Sequence, residues 1–462
     1  MYEKYFVGPE RRERRSVEEV LDLFPKLAFD AERADEDREH TPHLLERLSL
    51  FAAYVEGHTP EPFVWDRRAS EVVAPHPVYR DEAYRRGDLR DLPTLDRARL
   101  RRTQRPFDPE AAGATSVYEN RTSGTSGAPL TIYYSPEHMA RSLHLSLPMA
   151  AVRAGIRGLG ARPVFSVLVT DNPALPHGAL LPTPWELSGH RLIWHVDTAD
   201  PASVDDLDTM LRLLTPEVIS SKPNLFRILL EHWERAGVPA APGPLFLASG
   251  GAMLPDRTRE RLRAVFSCPV LSVYSTGEAS YLGSECALGT MHLNEALHEH
   301  FESVPLEDPA TGEEGLGELA LTSLGNTYMP LVRYRVGDTV RLSRDTCACG
   351  APGPVLDELR GRTTLVFDLG DGHMLSPTRY MDLFKNHSEL REYQLVQRTP
   401  RSFLVRIDLI PGTPSDGREA ACVRVRDAIA SGMPVEAEVA WEESTLETEG
   451  TKFARFRSEV TA

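Results

Sequence analysis

Lysine is nearly missing from this chain. Of its 52 cationic side chains, five are lysines (Lys4, Lys26, Lys222, Lys385 and Lys452) and the rest are arginines. Arginine evidently serves wherever any cation will do. A lysine that remains therefore marks a place suited to a compact, flexible ammonium rather than a planar fork. A positive excess is missing too: 68 acidic residues against 52 basic ones leave a net charge of −16. That balance argues against a nucleic-acid partner. The basic run Arg11-Arg12-Glu13-Arg14-Arg15 is mixed with acid and reads as a solvated helix face. Five cysteines in 462 residues are too few for a disulfide framework. No apolar run approaches membrane-spanning length, and the opening Met1-Tyr-Glu-Lys-Tyr5 has no signal-peptide core. The expectation is a protein of the reducing cytoplasm with no membrane partner.

The composition is otherwise that of a packed globular chain, with 41% apolar residues and a length that calls for two or three domains. Residues 1–110 are charged, with apolar positions at helical spacing (Val20, Leu21, Leu23, Phe24, Leu27). From 162 to 275 strand-like runs (163–169, 191–196, 218–221, 245–248, 270–274) alternate with helix-like runs (204–214, 225–235, 257–265). Such alternation implies a parallel sheet with covering helices. Ligands gather at the carboxyl ends of such strands. Gly250-Gly251-Ala252 and Ser275-Thr276-Gly277-Glu278 both follow predicted strands there, so Gly251, Ala252, Ser275 and Thr276 are expected beside a nucleotide. Beyond 281 the pattern is rich in strands and turns, and a hinge is expected near Gly361-Arg362. Predicted strands at 403–409 and 435–441 then flank a helix near 419–429. The fold class expected is α/β: a large N-terminal domain (1–360) of parallel or mixed sheets with covering helices, and a small mobile α+β C-terminal lid (361–462).

The segment with most chemistry is Arg121-Thr-Ser-Gly-Thr-Ser-Gly-Ala-Pro-Leu130. Glycines permit positive φ and close backbone approach. The interleaved hydroxyls and bare N–H groups of Thr122, Ser123, Gly124, Thr125, Ser126 and Gly127 suit an anion-cradling nest. No Lys-Ser/Thr pair and no helix follows, so this is not a Walker loop; a hydroxyl-rich turn is the plain alternative.

The loop resembles the phosphate loop of the adenylate-forming enzymes, which activate carboxylates with ATP, and the whole chain is most similar to their phenylacetate–coenzyme A ligase branch. Further matches follow in the family's order: Tyr274-Ser-Thr-Gly-Glu278, Arg333-Tyr-Arg-Val-Gly-Asp338, Gly361-Arg362 and Lys452, with a similar N-terminal segment at 79–102 containing Leu92-Pro93. The resemblance implies an acyl-adenylate and pyrophosphate made from ATP and a small carboxylic acid, aromatic by analogy, and then transfer to a thiol. Thr122 to Gly127 would hold the pyrophosphate. Tyr274 would stack on adenine, and Asp338, on a Gly337-Asp338 turn, would accept both ribose hydroxyls. Glu278 would bring Mg²⁺ to the phosphates, a hard cation that wants oxygen ligands. Arg362 would reach the ribose or phosphate, with an ordinary pairing to Asp357 or Glu358 as the alternative. Lys452 would bridge the carboxylate and α-phosphate and stabilise charge that develops in the transition state.

Three positions depart from the family's pattern: Ala128 where lysine is common, Gly277 with Thr276 displaced by one, and Thr363-Thr364-Leu365 in place of hinge acids. They leave three acceptors open: coenzyme A, a separate carrier protein, and a nitrogen nucleophile. A non-catalytic nucleotide-binding relative and a homodimer are also left open. The substrate pocket is expected to draw on residues such as His144, Ser221 and Lys222. Separately, Cys286 and His292 with Cys347-Ala-Cys349-Gly350 form a donor set suited to tetrahedral Zn²⁺. Four protein ligands would make the site structural, and a Cys/His cluster in some relatives is similar. Four unligated reduced side chains are the alternative. Cys268 and Cys422 read as core.

Overall fold

The computed structural model describes residues 2–7, 17–24, 27–29, 31–58, 63–80, 82–85, 87–103, 116–121, 130–162, 164–170, 178–182, 189–196, 201–236, 243–306, 315–362, 367–370, 374–375, 390–409, 414–433, 436, 438–443 and 456–460. The strands of its larger part are β1 (Ala28–Phe29), β2 (Tyr118–Arg121), β3 (Thr131–Tyr134), β4 (Val164–Thr170), β5 (Gly178–Pro182), β6 (His190–His195), β7 (Val218–Ser221), β8 (Phe246–Gly250), β9 (Val270–Thr276), β10 (Ser280–Glu285), β11 (Met291–Leu293), β12 (His300–Val304), β13 (Gly317–Ser323), β14 (Leu331–Ser343) and β15 (Val355–Arg362). The helices are α1 (Val17–Leu23), α2 (Ala31–Glu39), α3 (Thr41–Val55), α4 (Arg67–Val73), α5 (Arg97–Thr103), α6 (Pro136–His144), α7 (Ser146–Arg153), α8 (Pro201–Leu214), α9 (Pro223–Ala236) and α10 (Asp256–Phe266).

One mixed sheet of thirteen strands runs in the order β1-β5-β6-β4-β7-β8-β9-β10-β11-β15-β14-β13-β12, and β2 pairs with β3 apart from it. The middle strands β6, β4, β7, β8 and β9 are parallel. They are parallel because both faces are buried. Ile219, Leu247 and Val270 pack beneath α8, α9 and α10, while the alternate residues Val218, Phe246 and Leu271 pack against α3 and α7. Two of the helices near the sheet show how the sequence starts them. Pro223 presets the first turn of α9. The Ser135 side chain caps α6 by accepting the His138 N–H at 3.3 Å. Truncating the fully buried Phe246 to alanine should cost about 3–5 kcal/mol.

From β9 onward the sheet is antiparallel and packs a second core made with residues 65–100 and with β3. Arg333 locks this half. Its backbone is left-handed (φ 47°). Its guanidinium donates to both Glu302 oxygens (2.7 and 2.8 Å) and to the carbonyls of Arg90 (2.6 Å) and Leu92 (2.5 Å). The Leu92-Pro93 segment thereby runs beside β14.

The C-terminal part holds its own apolar cluster. Its strands are β16 (Phe367–Asp368), β17 (Met374–Leu375), β18 (Leu390–Thr399), β19 (Ser402–Leu409), β20 (Glu438–Glu443) and β21 (Phe456–Ser458), with helix α11 (Ser415–Ser431). Sheet order is β20-β19-β18-β21, and Phe403, Val405 and Ile407 pack against Ala421, Val425 and Ile429.

The α/β class and the small α+β unit therefore stand, with three differences of detail. The two halves of the large part share one continuous sheet. β5 was not foreseen, because glycine and proline bracket its few apolar residues. Gly337-Asp338 is not a turn between elements: Gly337 (φ 88°) lies inside β14, where the register against β15 shifts at a bulge. Among the described residues no helix is long and apolar enough to cross a membrane.

Candidate functional site

The carboxyl ends of β7, β8 and β9 converge on one rim of the sheet. At the end of β8, Gly251 has φ 77°, and a Cβ built there would lie 3.7 Å from Cγ of Lys222, which follows β7. Gly250 needs its small size as well, since a Cβ would sit 3.2 Å from the Val273 carbonyl oxygen. Gly251 is required by its left-handed backbone, since 3.7 Å is ordinary contact, and Gly250 by the close approach of the neighbouring carbonyl.

β9 carries Tyr274, Ser275 and Thr276 and turns into β10 through Gly277, Glu278 and Ala279. The strand runs to Thr276 and so includes two residues, Ser275 and Thr276, expected to follow it. The Thr276 hydroxyl accepts the Ala279 N–H at 3.1 Å, capping the turn from one place earlier than the family pattern suggests. The Tyr134 hydroxyl donates to the Gly277 carbonyl. His138 Nε2 lies 3.0 Å from the Ser280 hydroxyl, and Ser280 itself is left-handed (φ 62°). Burial, then the charges of Arg141 and His298, push the His138 imidazole down to about 3, so it is neutral at physiological pH. From below, Arg259 grips both oxygens of Glu285 (2.7 and 2.8 Å), and Glu285 accepts the Ser272 N–H at 2.7 Å.

Glu278 is thus presented on a braced hairpin. It is buried (5% exposed), and the Tyr334 hydroxyl donates to its Oε1 at 3.2 Å. The Tyr274 hydroxyl donates to Asp338 Oδ2 at 2.5 Å, which joins two motifs 64 positions apart. Asp338 in turn pairs by backbone register with Arg362, whose side chain lies outside what is described. Glu358, the alternative partner of Arg362, ion-pairs with Arg360 (2.5 Å) and Arg341 (3.6 Å).

Tyr274, Ser275, Thr276, Glu278, Asp338, Gly251 and Ala252 all occupy described positions on β9, β14 and the adjoining turns. Thr122, Ser123, Gly124, Thr125, Ser126, Gly127 and Lys452 lie outside the described residues, as do Ala128 and Thr363-Thr364-Leu365. The residues flanking the loop, Arg121 and Thr131, are directly paired, and the same strand β3 supplies Tyr134 to the Glu278 turn. Among the pocket candidates, His144 is buried and bonded to Asp37 at 2.8 Å, which makes it a packing group rather than a wall. Tyr134, His138, Ser280 and Tyr334 carry no role in the sequence reading. Their partners are distant in sequence, and no local spacing announces them.

A second constellation lies where β10 leads into β11 and β14 into β15. The ligand atoms of Cys286, His292, Cys347 and Cys349 all fall within 4.8 Å of one another, and Cys349 Sγ is 3.5 Å from His292 Nε2. A tetrahedral zinc with bonds of about 2.0–2.3 Å implies ligand separations of about 3.5–3.8 Å. The backbone already points N–H groups at sulfur: Cys349 N to Cys347 Sγ (3.5 Å) and Ala351 N to Cys349 Sγ (3.4 Å), on a turn closed by Gly350. Burial, then the Arg153 charge, hold His292 down at about 4, which keeps its lone pair available. Burial raises the Cys349 thiol to about 11, and the neighbouring sulfurs of Cys347 and Cys286 add to this. At Cys347 burial opposes ionisation, but the Cys349 N–H and the Thr290, Cys349 and Cys286 side chains outweigh it and lower the thiol. Sulfurs this close cannot all ionise together without a cation among them. The donor set fits a divalent ion.

No protein-family model matches this chain. Two curated relatives are similar to it: the phenylacetate-coenzyme A ligase of Thermus thermophilus, 26% identical over 340 residues (69% of this chain and 69% of the relative), and that of Pseudomonas putida, 26% identical over 309 residues (65% and 66%). The chain thus spans about two thirds of each relative. Among solved structures, 2-hydroxyisobutyryl-CoA ligase in its postadenylation state with 2-HIB-AMP matches with a TM-score of 0.58 at 18% identity, covering 91% of this chain and 90% of that one, a likeness of fold.

Proposed function

From membership of the adenylate-forming superfamily, in its phenylacetate–coenzyme A ligase-like branch, we propose that this chain is an AMP-forming acid–thiol ligase with coenzyme A as acceptor. A carboxylate oxygen attacks the α-phosphorus of ATP, and the bond to the β-phosphate oxygen breaks, giving an acyl-adenylate and pyrophosphate. A thiolate then displaces AMP from the acyl carbon. The observation that carries this reading is the Tyr274–Asp338 contact beside the braced Glu278 turn. It supports a nucleoside seat made of an aromatic face and a carboxylate at the rim of the parallel sheet, where ligands of such sheets gather.

In this reading Tyr274 stacks on adenine, with Ser275, Thr276, Gly251 and Ala252 around it. Asp338 accepts the ribose hydroxyls, and Thr122 to Gly127 hold the departing pyrophosphate. A buried carboxylate such as Glu278 fits a hard cation. When bound, Mg²⁺ supplies charge neutralisation at the phosphates, and Tyr334 and the Gly277–Tyr134 contact keep Glu278 aimed. Residues 361–462 form a lid that turns about Gly361-Arg362 and brings Lys452 to the carboxylate and α-phosphate. Cys286, His292, Cys347 and Cys349 hold a structural zinc, which ties the β10–β11 turn to the β14–β15 turn.

The acid is aromatic in this account. The test is product identification with ATP and a panel of aromatic and hydroxy acids, supplying coenzyme A, a phosphopantetheinylated carrier protein or hydroxylamine in turn. A coenzyme A thioester with stoichiometric AMP is expected. Product with the carrier or the amine alone would move the acceptor, and ADP in place of AMP would overturn the reaction class.

A further inference from the structure

Arg153 ends helix α7 in an unusual position for a charged side chain. It is 4% exposed, and none of its three guanidinium nitrogens has a hydrogen-bond partner among the described residues. Its guanidinium lies over the rings of Phe51 (4.9 Å to the centroid) and Tyr54 (5.8 Å), both from α3. A buried cation is ordinarily paired with an anion or hydrogen-bonded. Helix α7 packs on β10, which leads into Cys286, and the largest charge effects on Arg153 come from Tyr281, Tyr54, Cys349 and Cys286. Tyr54 closes the arrangement from the other side, because its hydroxyl occupies the place a side chain at Gly353 (φ 103°) would need, just beyond the Cys347–Gly350 turn.

The Cys/His cluster supplies the missing anion once it is loaded. Three thiolates and one neutral imidazole around a divalent ion leave one net negative charge. One guanidinium cancels it. We infer that Arg153 is the resident counter-cation of this metal centre, shelved on Phe51 and on Tyr54, whose hydroxyl abuts Gly353 beside the Cys347–Gly350 turn, so that it offsets the charge of the Cys286, Cys347, Cys349 and His292 set. The inference rests on the structural-metal reading given above and makes Arg153 a positioning residue. As the ion enters, the thiols that are still protonated release their protons to solvent, and the buried cation gains its partner. The metal site then also docks the α3–α7 layer, since the cation that neutralises it comes from α7 and is shelved on α3.

The test uses the full chain as wild type, Arg153→Met and Arg153→Lys. Each is titrated with Co²⁺, whose d–d and thiolate charge-transfer bands report tetrahedral sulfur ligation, in competition with a chromophoric chelator. Each is also melted with Zn²⁺ and after chelation. Wild type should bind one ion per chain. Arg153→Met should bind at least tenfold more weakly, and Arg153→Lys should keep most of the affinity. The melting difference should change sign: Arg153→Met melts below wild type with zinc, and at or above it once the metal is removed, because an unpaired buried charge has gone. Equal cobalt affinity in Arg153→Met, an equal loss in Arg153→Lys, or the same melting deficit with and without metal would overturn the inference while leaving the metal site standing. A wild-type chain that takes up neither ion would overturn both. Should Arg153→Met fail to fold, Arg153→Lys decides: retained affinity supports a charge role, and lost affinity refutes it.

Discussion

The contact between Tyr274 and Asp338 leads to a prediction about nucleotide affinity that runs against intuition. In the structure the phenol donates to Oδ2 of a largely buried carboxylate at 2.5 Å. If Asp338 receives ribose hydroxyls, the phenol competes with the ligand for that oxygen. Tyr274→Phe removes the competitor and keeps the ring that stacks on adenine. A hydrogen bond to a charged group contributes about 1.5–3 kcal/mol, and Tyr274 is only half-buried, so the lower end applies. The free protein should lose about 1.5 kcal/mol of stability, and AMP or ATP should bind about tenfold more tightly. Asp338→Asn, which removes the acceptor, should instead weaken binding. Calorimetric titration of AMP into the three proteins reads both effects, and denaturant unfolding reads the stability change. Tyr274→Phe binding more weakly than wild type, in step with Asp338→Asn, would refute the reasoning, because the phenol would then be part of the bound site rather than its rival.

Other predictions concern the hairpin and the core beneath it. Glu278→Gln keeps the Tyr334 contact but removes the charge proposed to draw Mg²⁺. Adenylation should fall about 10²–10³-fold, as for loss of one transition-state electrostatic contact, and rising Mg²⁺ should restore part of it in a pyrophosphate-release assay. Gly283→Ala would place a Cβ 2.1 Å from the His292 carbonyl oxygen and 3.1 Å from the Leu293 Cα. The unfolding free energy should drop by about 1–3 kcal/mol or more, together with cobalt affinity at the cluster. His138 titrates at about 3 in the folded chain against 6.5 unfolded, so its contribution is full above pH 6.5 and is lost as the pH falls towards 3. His138→Gln should therefore reduce the pH slope of unfolding free energy between pH 6.5 and 4 by about 1.4 kcal/mol per unit, one proton's worth. An unchanged slope in urea titrations at several pH values would contradict this.

Much of the scaffold was legible in the residues because the middle of the sheet is buried on both faces. Short segments such as Val218-Ile-Ser-Ser221 and Val164-Phe-Ser-Val-Leu-Val-Thr170 alternate with helical patterns, and that alternation reads as parallel strands. The intervening helices fell within a few residues of their expected ends for the same reason. What the chain conceals is pairing at a distance. Nothing in the run Leu130-Thr-Ile-Tyr-Tyr134 says that its last phenol will hold the carbonyl of Gly277. Nothing near Arg153 says that it will be buried over two α3 aromatics, Phe51 and Tyr54, neither of them local to it in the chain. Thiols and imidazole, by contrast, betray themselves by type, and the four named from sequence are the four that meet. The bulge at Gly337 read as a turn because a glycine before an aspartate has the same local signature in both settings. Only the register against β15 separates them.

The central claim is that nucleotide held at Glu278 and Asp338 is attacked by a carboxylate under the ammonium of Lys452. Isotope exchange between pyrophosphate and ATP tests it directly, because it occurs only if the acyl-adenylate forms reversibly and it needs no acceptor. Label should enter ATP when the right acid is added and at no other time, and Lys452→Ala should exchange at least a hundredfold more slowly while still binding AMP. A chain that binds ATP yet exchanges no label with any acid, or a Lys452→Ala variant that exchanges at the wild-type rate, would contradict the account.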